Sequence, residues 1–302
     1  MIEHHFLQLK AEVFNDRNDW TENLMELDMN NSKIQIETIF RNRMRRLQAH
    51  YSKSSRQFVL PLFGTSYKTS GRPSQFYGSS FLIKVRTSYF LVTAGHVMNN
   101  LVTGKTSVFS VNGNKKIVEI QVKNYVAAGD IAVIEVTGQP VLLNQRPMQV
   151  VAEPTQEASD GLQLISGYPH SLNKKFMSNK YFTPVNAFVT QLIENREELA
   201  NSFKRRASYS RDQFVDDLGD KLEMTAHPNG MSGGPVLHIG AMRALLSHKN
   251  SKFTLSIVGV FTEYSERTNT CRYELLSPAL TAASGHFTDL SDFSEPQTTN
   301  FY

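Results

Sequence analysis

The sequence predicts a mainly β protein, of sandwich or barrel type, with helical segments added at its N terminus and in its second half. From Gln57 onward, short runs rich in β-branched and aromatic residues are separated by turn residues, without regular βα alternation. The 302 residues are 40% hydrophobic, which is enough to bury a sizeable core. Because Cys271 is the single cysteine, no disulfide can form within the chain, and a reducing compartment is expected.

The charge balance excludes some classes of protein. The net charge of +4, from 32 basic and 28 acidic residues, is too small and too mixed to indicate nucleic-acid binding by the chain as a whole. No stretch approaches the roughly 18 apolar residues of a spanning helix, and no apolar signal segment follows Met1. The sequence therefore predicts a cytoplasmic protein that does not engage a membrane.

The first 56 residues are predicted to be a separate helical extension. Residues 1–31 carry two basic and seven acidic side chains, whereas residues 32–56 carry seven basic and one acidic. Ser32 and Gln35 fit a capping box, and apolar residues then recur at helical spacing, at Ile36, Ile39, Phe40, Met44 and Leu47. This pattern fits either an amphipathic helix packed on the domain with a solvated basic side, or an interaction arm.

The β strands are predicted from short apolar runs bounded by turn residues. The predicted strands are residues 58–63, 80–85, 89–93, 117–122, 131–136, 162–166, 187–193, 236–239, 254–262 and 272–276. Two stretches break this pattern. Residues 194–221 are long, charged and compatible with a helical insertion, and residues 284–302 are polar enough to be a loosely held tail.

A serine between glycines stands in the second half, in the run Gly230-Met231-Ser232-Gly233-Gly234-Pro235. A serine hydroxyl becomes an effective nucleophile when a base takes its proton, and the resulting oxyanion needs N–H donors. Gly230 permits a turn that points its N–H beside that of Ser232. Taken alone, this run also fits a surface turn, so its meaning depends on what accompanies it.

Two segments of the first half contain a candidate base and a candidate acid. His96 follows an apolar β run and stands among small residues, where an imidazole can face a cleft. Asp130 immediately precedes the apolar strand 131–136, where an aspartate ordinarily caps the strand. If its carboxylate instead reaches the His96 ring nitrogen remote from Ser232, it fixes the tautomer of the imidazole.

Together, and in the order His, Asp, Ser, these segments resemble the signatures of chymotrypsin-like (trypsin-like) serine peptidases, with the HtrA-type bacterial branch closest. The segments are Thr93-Ala94-Gly95-His96-Val97, Gly129-Asp130-Ile131-Ala132-Val133 and Gly230-Met231-Ser232-Gly233-Gly234-Pro235. The resemblance implies a peptidase domain over residues 57–283, with two six-stranded antiparallel β-barrels that meet near residues 145–160. It also implies a catalytic triad of His96, Asp130 and Ser232, with an oxyanion hole from the N–H groups of Gly230 and Ser232.

The resemblance also indicates residues of the substrate cleft. The position that sets the floor of the specificity pocket is Ala226, so the acid of a trypsin-like pocket is missing. Phe261 and Tyr264 are predicted to contact substrate from the cleft strand. Thr262 takes the position whose hydroxyl often hydrogen-bonds the triad aspartate. Small or medium uncharged residues are therefore expected before the scissile bond.

The sequence departs from the family in two places. Only 70 residues follow Ser232 (302 minus 232), so no PDZ domain of the kind usual in HtrA-type proteases is expected. Met231 replaces the aspartate that pairs with a freed N-terminal ammonium in secreted relatives, and a thioether cannot form that ion pair. The loop can then be ordered by intrinsic packing, by contact with the N-terminal helix or the insertion 194–221, or by a partner. We expect regulation through the N-terminal extension or the insertion 194–221, where a regulatory partner could bind.

The function predicted by the resemblance is that of a serine endopeptidase, which hydrolyses protein or peptide substrates through an acyl-enzyme and requires no metal or other cofactor. An alternative is a binding or scaffolding module that keeps the fold without turnover. A basic arm over residues 41–56 that binds nucleic acid is a further alternative, which a steep salt dependence of affinity distinguishes.

Overall fold

The computed structural model divides the chain into two compact units, Met1–Arg43 and Met44–Tyr302. In the first unit it describes Thr38 and Asn42, which are both helical. In the second unit it describes residues 57–65, 73–102, 107–111, 117–122, 124–136, 148–149, 161–170, 186–191, 204–209, 228–241 and 256–293, with Arg46, Gln48, Ala49 and Ser55. The capping box at Ser32 and Gln35 and most of the predicted extension therefore lie outside the described residues.

The first half of the second unit forms an eight-stranded sheet in the order β5-β4-β1-β2-β3-β7-β6, with the short β8 added beside β2. The β2–β8 pair is parallel, and the other pairs are antiparallel. The strands are β1 (Val59–Thr65), β2 (Pro73–Val85), β3 (Ser88–Ala94), β4 (Ser107–Val111), β5 (Ile117–Gln121), β6 (Tyr125–Ala128), β7 (Ile131–Glu135) and β8 (Met148–Gln149).

A short helix, α1 (Gly95–Val102), follows β3 directly and closes the first core. It turns Val97, Met98 and Leu101 inward, where they join the apolar side chains Leu60, Leu62, Leu91, Ala94, Ile120, Ala132 and Ile134. Because neighbouring residues on a helix point in different directions, burial of Val97 and Met98 leaves His96 on the solvent side. The core thus determines which way the first turn of α1 faces.

The second half forms a six-stranded antiparallel sheet in the order β10-β9-β12-β13-β14-β11. Its core contains Ile165, Ala207, Met231, Val236, Val258, Phe261, Cys271 and Tyr273. The strands are β9 (Gly161–Gly167), β10 (Asn186–Gln191), β11 (Lys204–Ser208), β12 (Pro235–Ala241), β13 (Ser256–Ser265) and β14 (Thr270–Leu275).

The chain then continues through helix α2 (Leu276–Ser284) and a 3-10 helix (Thr288–Phe293). The apolar side chains Phe287, Leu290 and Phe293 are buried, and the ring centroid of Phe287 lies 5.5 Å from that of Phe90. Arg86 Nε donates to Asp292 Oδ2 at 3.0 Å. Residues 288–293 are therefore packed against the first sheet, in contrast to the loose tail expected from residue 284; residues beyond 293 lie outside the described part.

The mainly β fold with two sheets is confirmed, and every predicted strand has an observed counterpart. The resemblance implied six strands in the first sheet, and the apolar runs located five of them; the structure adds β4, β6 and β8, which makes eight. Within the described residues, no helix combines the length and apolarity that a membrane crossing needs.

The predicted helical insertion over residues 194–221 is partly wrong, since residues 204–208 form strand β11. This strand pairs with β14 from Lys204↔Glu274 to Ser208↔Thr270. Ala207 and Tyr209 are buried at alternate positions, and an alternating pattern of this kind indicates a strand. The four charged or polar residues of β11 hid that pattern. The rest of the insertion lies outside the described residues.

Candidate active site

The structure brings His96 and Asp130 together at one end of the first sheet. The two carboxylate oxygens of Asp130 accept separate hydrogen bonds from His96, one from the backbone N–H at 2.8 Å and one from the ring Nδ1 at 2.8 Å. Since a carboxylate is an acceptor, Nδ1 carries a proton in this arrangement, and in the neutral imidazole the lone pair is then on Nε2. The side chains are 46% and 32% exposed, so the pair faces a solvent-accessible surface.

Strand register explains why these two residues meet. β3 and β7 are antiparallel neighbours, and Ala94 at the end of β3 pairs with Ile131 at the start of β7. The residues that follow β3 and those that precede β7 must therefore lie side by side. The Gly95 N–H donates to the Asp130 carbonyl at 2.8 Å, which extends the ladder to the site itself.

A second carboxylate, that of Glu274 on β14, lies behind the Asp130 turn. Its Oε2 accepts the Asp130 backbone N–H at 2.7 Å, and its side chain is 7% exposed. Lys204 Nζ lies 3.5 Å from the other oxygen, Oε1. Gly129 packs directly against this carboxylate, where a side chain would not fit. Glu274 therefore connects the second sheet to the turn that presents the acid of the candidate triad.

Ser232 lies in the loop that precedes β12, and its hydroxyl donates to the Thr262 carbonyl at 2.9 Å. Both Ser232 and His96 are described, and no hydrogen bond joins their side chains. The loop nevertheless packs on the strand that leads to His96, since a Cβ at Gly233 would lie 3.0 Å from the Ala94 nitrogen. Catalytic hydrogen bonds are often long or unformed without substrate, so this rotamer does not exclude Ser232 as a partner of His96.

In the loop of residues 228–234, called the oxyanion loop below, hydrogen bonds fix the direction of four carbonyl groups. The carbonyl oxygens of Asn229, Gly230, Met231 and Ser232 accept hydrogen bonds from His170 N, Ser79 Oγ, Gly234 N and Ser79 N, respectively. The planar peptide unit points its N–H opposite to its C=O. Fixing the Asn229 and Met231 carbonyls therefore directs the Gly230 and Ser232 N–H groups to the other side.

The Gly230 and Ser232 N–H groups have no hydrogen-bond acceptor among the described residues. Both residues are partly exposed, so the two donors on either side of Met231 are accessible to solvent or to a ligand. Gly230 adopts φ +92°, a conformation that side-chain-bearing residues rarely take, and it packs against Phe76 and His170. These are the two donors that the resemblance assigns to an oxyanion hole.

The residues predicted to contact substrate fall in different places. The Phe261 side chain is buried in the second core, so it contacts the protein interior instead of the cleft. Its backbone N–H and C=O pair with Gly234 O and Gly233 N, which attaches the oxyanion loop to β13. Tyr264 packs edge-on against Tyr209, with ring centroids 4.6 Å apart. Ala226 lies outside the described residues.

Thr262 differs from its expected role in one respect. The resemblance implied that its hydroxyl hydrogen-bonds Asp130, but the hydroxyl donates instead to the Arg272 carbonyl at 3.3 Å. The reason is a register shift between β13 and β14 at Thr262. The shift turns the Thr262 side chain toward β14 and the Thr262 carbonyl toward Ser232. Glu274 occupies the supporting position beside Asp130.

The free cysteine has no place in this chemistry. Cys271 is buried in the second core, and burial raises the pKa of its thiol well above the usual range. A thiol that keeps its proton is a poor nucleophile. Ser232 is therefore the nucleophile candidate that the described geometry supports.

These sheets and this site define the class of the protein as a serine-peptidase fold of the two-sheet, chymotrypsin-like kind. The profile of the family described as Trypsin matches residues 69–270, more than half of the 302 residues, and the chain belongs to this family. A search of curated proteins finds no significant match.

Solved structures are similar to the chain at low identity. A serine endoprotease from Yersinia pestis has 13% identity and a TM-score of 0.45 over 80% of this chain and 65% of its own length. Kallikrein-related peptidase 10 has 13% identity and a TM-score of 0.46 over 77% and 96%. The HtrA-type protease AlgW, solved with a decapeptide, has 12% identity and a TM-score of 0.44 over 83% and 68%. The chain thus spans about two thirds of the Yersinia protein.

Sequence analysis missed two residues that support the site. Ser79 directly precedes the predicted strand 80–85, and no role was predicted for it. Glu274 stands in a strand with few other signals, and only its burial reveals it. By strand alternation Glu274 faces away from the core residues Cys271 and Tyr273, so the sequence pattern predicts an exposed side chain.

Proposed function

We propose that the protein is a serine endopeptidase that hydrolyses peptide bonds of protein substrates, with Ser232 as nucleophile, His96 as general base and Asp130 as the residue that orients the base. The observation that carries the proposal is the pair of unpaired N–H groups on Gly230 and Ser232, beside a histidine whose Nδ1 is held by a carboxylate. These are the parts that acyl transfer requires.

The reaction begins when the Ser232 hydroxyl leaves the Thr262 carbonyl and turns to His96 Nε2. Oγ then attacks the peptide carbonyl carbon while its proton passes to Nε2, and Asp130 stabilises the imidazolium that forms. The carbonyl oxygen gains the negative charge and accepts the Gly230 and Ser232 N–H groups. His96 returns the proton to the leaving amine, and a water molecule repeats the sequence on the acyl-enzyme.

A specific observation favours a second candidate, a binding module without turnover. The Ser232 hydroxyl donates to Thr262 and not to His96, and a serine held permanently in this way would be inert. The two candidates differ in the mobility of one side chain. The Ser232 hydroxyl makes a single hydrogen bond to a backbone carbonyl at a half-buried site, and water can take its place there at little cost in free energy. The hydroxyl is therefore free to turn to His96, which supports the peptidase.

The decisive experiment is labelling of the purified full-length chain with a fluorophosphonate probe, followed by peptide mapping. The peptidase predicts a single adduct at Ser232, which is absent from heat-denatured protein and from Ser232→Ala. Retention of the label in Ser232→Ala would overturn the assignment of the nucleophile. A native chain that takes no label would support the silent binding module.

Substrate preference is proposed from the sequence alone, since Ala226 lies outside the described residues. A pocket floor without an acid does not favour Arg or Lys, so cleavage is expected after small or medium uncharged residues. A peptide library incubated with the enzyme and sequenced after cleavage measures this preference. Cleavage chiefly after basic residues would contradict it.

A further inference from the structure

Ser79 is a buried residue of β2 whose polar groups are all directed at the candidate site. Its N–H donates to the Ser232 carbonyl at 2.8 Å, and its hydroxyl donates to the Gly230 carbonyl at 3.0 Å. The same hydroxyl oxygen accepts the Tyr168 N–H at 2.9 Å. Its carbonyl accepts the Thr93 hydroxyl at 2.7 Å, on the strand that leads to His96. One residue of the first sheet thus contacts three segments that build the site.

The Ser79 hydroxyl holds the Gly230 carbonyl of the oxyanion loop from a strand of the other sheet. Asn229 and Met231 are held by backbone N–H groups, and these bonds do not depend on side-chain identity. The Ser79 hydroxyl also fixes Tyr168, two residues before His170, whose N–H holds the Asn229 carbonyl. Through these two bonds, a single hydroxyl constrains both the loop and the segment against which the loop is held.

The Gly230–Met231 peptide unit would otherwise rotate easily. Gly230 has no side chain to restrict its dihedral angles, and the φ +92° that it adopts is one of several conformations open to glycine. In secreted relatives, as the resemblance indicates, an ion pair at the residue before the nucleophile orders this loop. Met231 is buried in the second core and cannot form such a pair. The loop therefore needs another constraint, and Ser79 is placed to provide it.

We propose that Ser79 is a positioning residue that orders the oxyanion loop from the opposite sheet and keeps the Gly230 N–H directed at the oxyanion. This inference rests on the proposed peptidase function. Without the hydroxyl, the Gly230 carbonyl and the Tyr168 N–H both lose their partner. The segment from Tyr168 to His170 then holds the Asn229 carbonyl less firmly, so the Asn229–Gly230 peptide unit, which carries the Gly230 N–H, can turn away from the oxyanion. The consequence is a loop that is ordered without proteolytic processing.

Ser80 offers a matched control, because it is the next residue of the same strand and is equally buried. Its hydroxyl donates to the Leu60 carbonyl at 3.0 Å, which belongs to β1 and not to the oxyanion loop. Ser79→Ala and Ser80→Ala thus remove the same atom from the same strand, and each leaves a carbonyl without its hydroxyl donor. A difference in activity between them isolates the effect on the loop from the cost of deleting a buried hydroxyl.

The measurement is the second-order rate of fluorophosphonate labelling at Ser232, divided into the binding constant and the maximal rate, with thermal unfolding of each variant. Ser79→Ala is expected to lower the maximal rate by about 10- to 100-fold, because the phosphonyl oxygen occupies the oxyanion hole, while the binding constant changes little. Ser80→Ala is expected to label at the rate of the native chain. Equal rates in the two variants would overturn the proposal.

A second variant keeps the test decisive if Ser79→Ala does not fold. Ser79→Cys retains a side chain of similar shape with a weak donor, so it is expected to label at an intermediate rate. A full rate in folded Ser79→Cys would refute the positioning role. Failure of the native chain to label at Ser232 is a different result, which would remove the proposed function and this inference with it.

Discussion

The two halves of the candidate site are held in place in different ways. His96 and Asp130 both belong to the first sheet, and one strand register, Ala94↔Ile131, brings them together. Ser232 belongs to a loop whose carbonyls are held by Ser79, His170 and its own Gly234. The positions of the candidate acid and base therefore depend on a regular strand ladder. The positions of the candidate nucleophile and the two N–H donors depend on individual hydrogen bonds between distant segments.

The largest expected effect is that of removing the nucleophile. Ser232→Ala should lower the turnover number by about 10⁴ to 10⁶, since the remaining groups stabilise charge but form no acyl-enzyme. The fold should be retained, because the lost hydroxyl donates to one backbone carbonyl. Turnover of a peptide substrate and the unfolding temperature are the two measurements. Residual activity close to that of the native chain would mean that another residue attacks the substrate.

Asp130→Asn tests the half of the site that the ladder holds. The carboxylate accepts both the backbone N–H and the Nδ1 of His96, and an amide cannot accept both once its NH₂ group faces one of them. The wrong tautomer of His96 is then favoured, and turnover should fall by about 10⁴ with the fold intact.

Asp292→Asn is the control for Asp130→Asn. Asp292 pairs with Arg86, which precedes the start of β3, whereas His96 follows the end of that strand. This variant should keep full turnover. If Asp130→Asn were equally active, a different carboxylate would have to orient His96.

Glu274 tests whether the second sheet supports the acid. Glu274→Leu leaves the Asp130 N–H without its buried acceptor, which should cost about 1 to 3 kcal/mol of unfolding free energy. Turnover should fall by about 10-fold, as the turn that presents Asp130 loosens. Denaturant unfolding and kcat measure the two effects separately.

Glu263→Leu is the matched control for Glu274→Leu, because Glu263 is an exposed carboxylate of the adjoining strand that pairs with Arg272. Its loss should change stability by at most about 1 kcal/mol and leave turnover unaltered. Equal stability and equal turnover in the two variants would show that Glu274 has no special part in placing Asp130.

The smallest effect is expected from N-terminal processing. Since Met231 cannot pair with a freed ammonium, the uncleaved chain should react with the fluorophosphonate probe without a new N terminus. The rate for the full-length chain is compared with that of a variant lacking residues 1–31. Activity that appeared only after an N-terminal cut, and that required the freed amine, would contradict the account of the oxyanion loop.

Strands and short motifs, which depend on residues close together in the chain, could be predicted from the sequence. The apolar runs predicted the strands with a regular pattern, which are all except β4, β6, β8 and β11. The short segments around His96, Asp130 and Ser232 indicated the candidate triad. These signals are readable because strand formation and the shape of a glycine-rich turn depend mainly on local chain conformation. The charged strand β11 lacked such a signal, and it was taken for part of an insertion.

Only the tertiary structure decided which residues support the triad. Ser79 and Gly230 are separated by 151 positions, and Asp130 and Glu274 by 144, so no local pattern links either pair. The direction of the Thr262 side chain depended in the same way on a register shift between β13 and β14. Such contacts arise when the two sheets pack, since a buried polar group takes whichever partner the packed chain places within reach.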